Sequence, residues 1–305
     1  MTRRECLTLL GGALTASMAP GFGRAQKQAP VLRVAISVDT LAGANVNDAR
    51  AAYKVWIREV VRQFPSSLAE MVPEIFLPSD ELLRGVRQGA IECFGVTALE
   101  FVKVADLIDP NFLLLQDYLA DGMEYVLLVH RNSAFKKLAD LRGAQILTHF
   151  HRDMVLAPAW IGTMLAADGL PQPERFFGSL KSVANLNEVV LPVFFRRADG
   201  ACLARRNWET AIELNPQLGH DLFPLAVSPR IVPIVIAFRR GCSTEGRKVL
   251  IDSILKVATV TGGQQIVTLY QSHGFIVRPT SVMSSTVELV RQFERVYGGA
   301  RKGRS

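Results

Sequence analysis

Eight consecutive residues near the start of the chain, VLRVAISV (Val31 to Val38), are apolar at nearly every position. A strand covered on both faces reads that way, whereas a half-exposed strand alternates. The pattern then changes period: Asp48 to Phe64 carries Ala51, Val55, Val60 and Phe64 near helical spacing and predicts an amphipathic helix. A short strand at Glu74 to Leu77, a helix from the Ser79-Asp80 cap to Gln88, and a strand at Glu92 to Val96 follow. Strands alternating with helices predict an α/β lobe with a mainly parallel sheet, whose ligand edge lies at the carboxyl ends of the strands.

Farther on, Tyr125 to His130 reads as a strand, and Ser133 to Leu147 as a short helix, a turn at Gly143 and a strand. A helix from Ala157 to Asp168 closes at Gly169, a helix spans Asn187 to Arg197, and Gly200 to Ala204 is a strand. Two segments share one order of helix, basic turn, short strand and loop: ELLRGVRQGAIECFGVTALEF and EVVLPVFFRRADGACLARRNWE. That fits two lobes built alike. The stretch Ser228 to Arg240 is strand-like throughout, and helices finish the chain near Thr244 to Thr261, Gln264 to His273 and Ser285 to Tyr297. Tyr125 to His130 going out and Ile231 to Phe238 returning predict two Rossmann-like lobes joined by two hinge strands, with a cleft between. The expected lobes are 30–127 plus 234–305, and 128–233.

The first 25 residues are set apart from this fold. Arg3 and Arg4, an apolar run from Cys6 to Met18 and Gly23-Arg24-Ala25 are the three parts of an export signal. The adjacent arginines resemble the bacterial twin-arginine type, with Cys6 where an aromatic residue is usual. Its removal leaves 32 basic against 27 acidic residues, in a monomer expected in the periplasm. The basic residues are spread along the chain, with no stripe and no RNA-binding motif, which argues against nucleic acid. Three cysteines remain, Cys93, Cys202 and Cys242, an odd number with no C-x-x-C pair. A disulfide scaffold or structural zinc site is therefore not expected.

THFHRDM (Thr148 to Met154) invites a chemical reading, because His149, His151 and Asp153 have the spacing with which some metallohydrolases begin. The remaining histidines, His130, His220 and His273, show no paired spacing, no G-x-S-x-G nucleophile elbow exists, and Gly262-Gly263 is a helix break. A non-enzymatic binding protein without metal or cofactor is the expectation, and a metal-dependent hydrolase the alternative.

Four segments resemble the periplasmic substrate-binding proteins of phosphate/phosphonate-type ABC transporters, which have the type 2 periplasmic binding protein fold. They are SDELLRGVRQGAIECFGVTALEF, HRNSAFKKLADLRGAQI, NEVVLPVFFRRADGACLARRNWE with its Asp199, and SPRIVP. The resemblance covers about Val31 to Val277. It implies a small phosphonate-like ligand held between the lobes and, as partner, an ABC permease or alternatively a membrane sensor histidine kinase. This chain departs from the family at the ligand loop, where Thr148 is the one hydroxyl, and after the strand that ends at Ala204, where Arg205 and Arg206 replace an acidic residue. Guanidinium forks there favour an anionic ligand. The candidate contacts are Ser37, Asp39, Thr40, Thr97, Thr148, His149, His151, Arg152, Arg205, Arg206 and Ser228, all at strand ends, in the histidine loop or by the return hinge.

Overall fold

A computed structural model of the chain describes residues 31–42, 45–63, 70–242 and 244–301. The leader read at 1–25, Phe64 and the end of the basic tail lie outside the described residues. Eleven strands are described: β1 (Val31–Ser37), β2 (Glu70–Leu77), β3 (Cys93–Thr97), β4 (Leu113–Gln116), β5 (Tyr125–His130), β6 (Gln145–His149), β7 (Ser179–Val183), β8 (Gly200–Ala204), β9 (Leu222–Val227), β10 (Ile234–Phe238) and β11 (Phe275–Arg278). They form a six-stranded sheet ordered β11-β4-β10-β3-β1-β2 and a five-stranded sheet ordered β7-β6-β8-β5-β9.

Both sheets are mixed, which corrects the mainly parallel expectation. β1 runs parallel to β2 and β3, but β10 enters antiparallel between β3 and β4 because the chain returns from the second lobe in the opposite direction. The whole of β5 belongs to the five-stranded sheet and the whole of β10 to the six-stranded one. The crossings therefore fall at 117–124 and 228–233. These two segments pair with each other: Met123 N–H donates to Ile231 O at 2.8 Å and Ile231 N–H to Met123 O at 2.9 Å. Gly122 sits there with φ +74°, and a Cβ on it would come within 3.2 Å of the Ile231 nitrogen. The crossing is thus a short two-stranded ribbon.

Period-two alternation sorts the apolar residues into layers. Tyr125, Leu127 and Val129 of β5 join one core cluster, while Val126 and Leu128 join another beneath the helices Leu186–Phe194 and Arg205–Leu214. The first of these clusters runs through both lobes, from Phe94 and Phe101 to Trp160 and Leu165, so the two lobes do not have wholly separate cores. A third cluster fills the outer face of the six-stranded sheet against the helices Val46–Gln63, Thr244–Leu255 and Thr261–Leu269. On Val46–Gln63 the buried face is Ala52, Tyr53, Trp56, Ile57 and Val60, whereas Val55 is 47% exposed. The anticipated stripe is rotated because the large Tyr53 and Trp56 side chains remove more apolar area from water than Ala51 and Val55 would.

A third link spans the lobes. The C-terminal helix Ser284–Arg301 packs on both Ala98–Val102 and Ala157–Ala167. Gly162 permits the approach: Tyr297 Oη donates to Gly162 O at 3.0 Å, and a Cβ on Gly162 would stand 2.9 Å from the Phe293 and Tyr297 rings.

Candidate functional site

The ends of β1, β3, β4 and β6, with the segments that follow them, meet between the lobes. From the five-stranded side comes the histidine loop. His149 closes β6 and is buried; its Nε2 lies 3.2 Å from Ala184 O and its Nδ1 3.3 Å from the Asn207 amide. Those partners assign the proton to Nε2 and make Nδ1 an acceptor. His151 caps a short 3-10 turn, Arg152–Met154, accepting Asp153 N–H at 3.2 Å, and its ring stacks on His149 with centroids 5.3 Å apart. Burial, the largest influence, pulls the His151 pKa down to about 4 despite the neighbouring Asp153 carboxylate, and also lowers that of His149. Both rings are neutral at pH 7.

The six-stranded side supplies two tyrosines. Tyr118, just past β4, places its hydroxyl 2.9 Å from both Asp153 Oδ1 and Gln116 Oε1. With one proton to give, it donates to one of them at a time. The Arg206 guanidinium from the second lobe lies over the Tyr118 ring, 4.0 Å from its centroid. Arg152 lies over the ring of Tyr270, at 4.9 Å. Each lobe-2 arginine therefore rests on a lobe-1 aromatic face, a favourable placement for a cation.

Neither arginine is fully bonded. Arg152 is 4% exposed, and its Nε and Nη2 have no hydrogen-bond partner. Arg206 Nη1 likewise has none, and its Nη2 makes one long bond, 3.5 Å, to Gln271 O. Gln271 holds a left-handed φ of +50° just past the helix Thr261–Leu269, the kind of strained backbone that collects at binding sites. The charged groups nearest His151 are Arg152, Arg206 and Asp153, two positive against one negative. Three guanidinium nitrogens, two on Arg152 and one on Arg206, are thus left without a hydrogen-bond partner.

The structure scatters the remaining candidates. Ser37 and Thr97 are buried and turned toward Glu100, which accepts from Ser37 Oγ at 2.5 Å and from both the nitrogen and Oγ1 of Thr97 at 2.8 Å. Thr97 is thereby the N-cap of Ala98–Val102, half of a complete capping box. Asp39 is exposed beside them and its pKa is raised, by partial burial first and by Glu100 second. It lines an open groove of about 580 Å³ with Thr97, Phe150 and Val155 at the mouth of the cleft. Thr40 is buried, its hydroxyl bonded to Ser37 O at 2.8 Å. Thr148 reaches only Lys181 O, at 3.4 Å. Arg205 is paired to Glu124 at the outgoing crossing, and Ser228 Oγ accepts from Tyr125 N at 2.8 Å at the returning one, so both brace the hinge. The residues the structure brings together are His149, His151, Arg152 and Arg206. Joining them are Asp153, which the sequence suggests only as a metal ligand, and, beyond the sequence reading, Tyr118, Asn207 and Tyr270. Tyr118 lies just past the end of β4, a strand too short to register in the sequence, so its place at the site carries no legible signal.

The metal-hydrolase alternative finds no support in this geometry. His149 spends both ring nitrogens on neighbours, and among the described residues no group of three His, Cys, Asp or Glu side chains is placed to hold a metal. Cys93, Cys202 and Cys242 are all buried, and desolvation pushes Cys202 up to about 12.

A sequence profile described as the periplasmic substrate-binding protein of phosphonate ABC transporters matches residues 68–278. No curated protein matches the chain. Among solved structures, XAC2383 from Xanthomonas citri bound to ATP is similar, with a TM-score of 0.57 and 16% identity over 88% of this chain and 99% of that one. PhnD1 from Prochlorococcus marinus in complex with methylphosphonate has a TM-score of 0.54 and 14% identity, covering 88% and 98%. A binding component of a phosphonate transporter from Pseudomonas aeruginosa gives 0.54 and 13%, covering 88% and 87%. Identities this low speak to the fold alone, the two-lobed fold of type 2 periplasmic binding proteins.

Proposed function

The chain belongs to the family of phosphonate-type periplasmic substrate-binding proteins of ABC transporters, and from that premise we propose that it captures a small anion between Arg152 and Arg206 and delivers it to its permease. The family's members are transport components and not enzymes, and they work outside the cytoplasm. We read residues 1–25 as the export signal that would bring this chain there.

One observation carries the choice of an anion: Arg152 is buried with two N–H groups unbonded. A buried charge lacking full compensation is costly, and an oxyanion would satisfy both donors at once through a bidentate contact. Arg206 offers a third donor from the same lobe. The tyrosines beneath the two arginines come from the other lobe, so an anion seated there touches groups that meet only when the cleft is shut. Such differential contact is what shifts a two-state hinge toward closure. The closed state is then what the permease recognises.

A thermal-unfolding screen tests this with methylphosphonate, phosphite, ethanesulfonate and acetate beside neutral analogues. An anion present at 100 times its dissociation constant is expected to stabilise the protein by about 2.7 kcal/mol. Stabilisation by neutral compounds alone would overturn the assignment.

A further inference from the structure

Beneath the outer face of the six-stranded sheet, against the helices Val46–Gln63 and Thr261–Leu269, lies a cavity of about 50 Å³. That is several times the roughly 10–15 Å³ a single water needs. Its walls are chiefly apolar, among them Ile36, Ile57, Ile236 and Ile266. Gly95, inside β3 between β1 and β10, forms part of the lining. Nothing local requires glycine there. Its φ lies outside the left-handed region, and a Cβ would meet nothing nearer than Ile36 at 3.5 Å, an ordinary contact. Glycine weakens a strand interior, and where backbone geometry does not explain it, space left for another group does.

Two further observations point the same way. Trp56, another wall residue, is 7% exposed and its Nε1 has no partner, a buried donor left unmet in the free protein. Thr40, Gln116 and Tyr270 also line the cavity. Tyr270 is the ring on which Arg152 rests, and Gln116 is bonded to Tyr118, on which Arg206 rests. The arginine site and the cavity are the two sides of one wall.

We propose that this cavity receives the apolar tail of the cleft ligand, which makes the ligand an amphiphilic anion. Its charged head lies at Arg152 and Arg206, and a short alkyl or aryl group passes the Tyr270 ring into the space beside Gly95. Entry requires the ring to turn from its tether, the 2.8 Å bond between the Tyr270 and Tyr53 hydroxyls. The inference rests on the anion reading above.

Calorimetric titration of methyl-, ethyl-, propyl- and butylphosphonate separates the two. In the wild-type chain the dissociation constant is expected to fall about fourfold for each added methylene, until the space is filled. Gly95→Val, which projects methyl groups into the cavity, should flatten that series. Gly95→Ala, whose Cβ has room, should flatten it partly and guards against a folding defect in the larger variant. If all four phosphonates bind alike, or the slope survives in both variants, the tail compartment is refuted while the anion reading stands. If none binds, an alkylphosphonate is not the ligand and the tail compartment proposed for it is refuted, while the thermal screen decides the anion reading. If butanol binds Arg152→Met protein as tightly as butylphosphonate binds the wild type, the cavity is an independent apolar site and the inference is wrong.

Discussion

Replacing Arg152 by Met is the most informative single change, because it should raise stability while removing function. The wild-type guanidinium is 4% exposed and leaves Nε and Nη2 without partners. An unmet buried donor costs about 1–3 kcal/mol, so two cost about 2–6 kcal/mol. Methionine fills much of the same volume and carries no donors. It forfeits the contact over Tyr270, worth about 0.5–2 kcal/mol. The ligand-free variant is therefore expected to be at least as stable as wild type, and more stable by up to about 5 kcal/mol, read as a higher urea midpoint with unchanged slope. Anion binding should weaken by about 2–5 kcal/mol, which is about thirtyfold to several thousandfold in dissociation constant. If the variant is less stable without ligand and binds methylphosphonate within threefold of wild type, Arg152 is a structural cation and the site lies elsewhere.

Tyr118→Phe removes the hydroxyl that meets Asp153 across the cleft while keeping the ring under Arg206. The buried carboxylate loses a donor at a cost of about 1–3 kcal/mol, borne by the closed form alone. Small-angle scattering should show a larger radius of gyration, and an unchanged radius would show that this bond does not hold the lobes together. The neutral His151 makes the protein sensitive to acid. Its folded pKa of about 4 lies below an unfolded value near 6.5, so the unfolded chain binds the extra proton. Stability from this group is complete above about pH 6.5 and is lost progressively down to about pH 4, by roughly 3 kcal/mol in all. His151→Asn keeps an acceptor for Asp153 N–H and should reduce the slope of urea midpoint against pH across that window; an equal slope would assign the acid sensitivity to other groups.

The strands legible in the sequence are β1, β3, β5, β6, β8 and β10 of the sheet interiors and half of the edge strand β2. The sequence reading of β8 has the bounds the strand has, and that of the Ser79–Gln88 helix likewise, because an apolar stripe and a left-handed Gly89 agree there. The N-cap, however, is Pro78 without a side-chain bond, and the expected cap residues Ser79 and Asp80 lie inside the first turn. The edge strands β7, β9 and β11, and the short β4, are not legible in it. β7 is the half-exposed SLKSV and β11 has four residues, so neither carries an apolar run long enough to register. Ser228 to Arg240 looked continuous but holds a strand only from Ile234, since Pro229 and Pro233 interrupt the ladder. The cleft was half legible. Its arginines and histidines follow strand ends, where ligand groups are expected in such sheets. Tyr270 closes a helix more than a hundred residues away, and no local pattern connects it with Arg152. Thr97 shows the opposite case: the hydroxyl that suggested a ligand contact is used up by the capping box with Glu100.

The position of β10 has a consequence for the order in which the molecule is made. It lies between β3 and β4, yet the ribosome delivers it only after every residue of the five-stranded sheet. Until then β4 has no β10 edge to pair with, and β11 is later still. The second lobe, contiguous from β5 to β9, can condense on its own while the first waits as an incomplete three-stranded fragment. Sheet completion in the first lobe is then a late, long-range event, slow by the entropy of the large loop it closes. During that interval the inward edge of β3 is a bare template, open to the wrong strand as readily as to the right one.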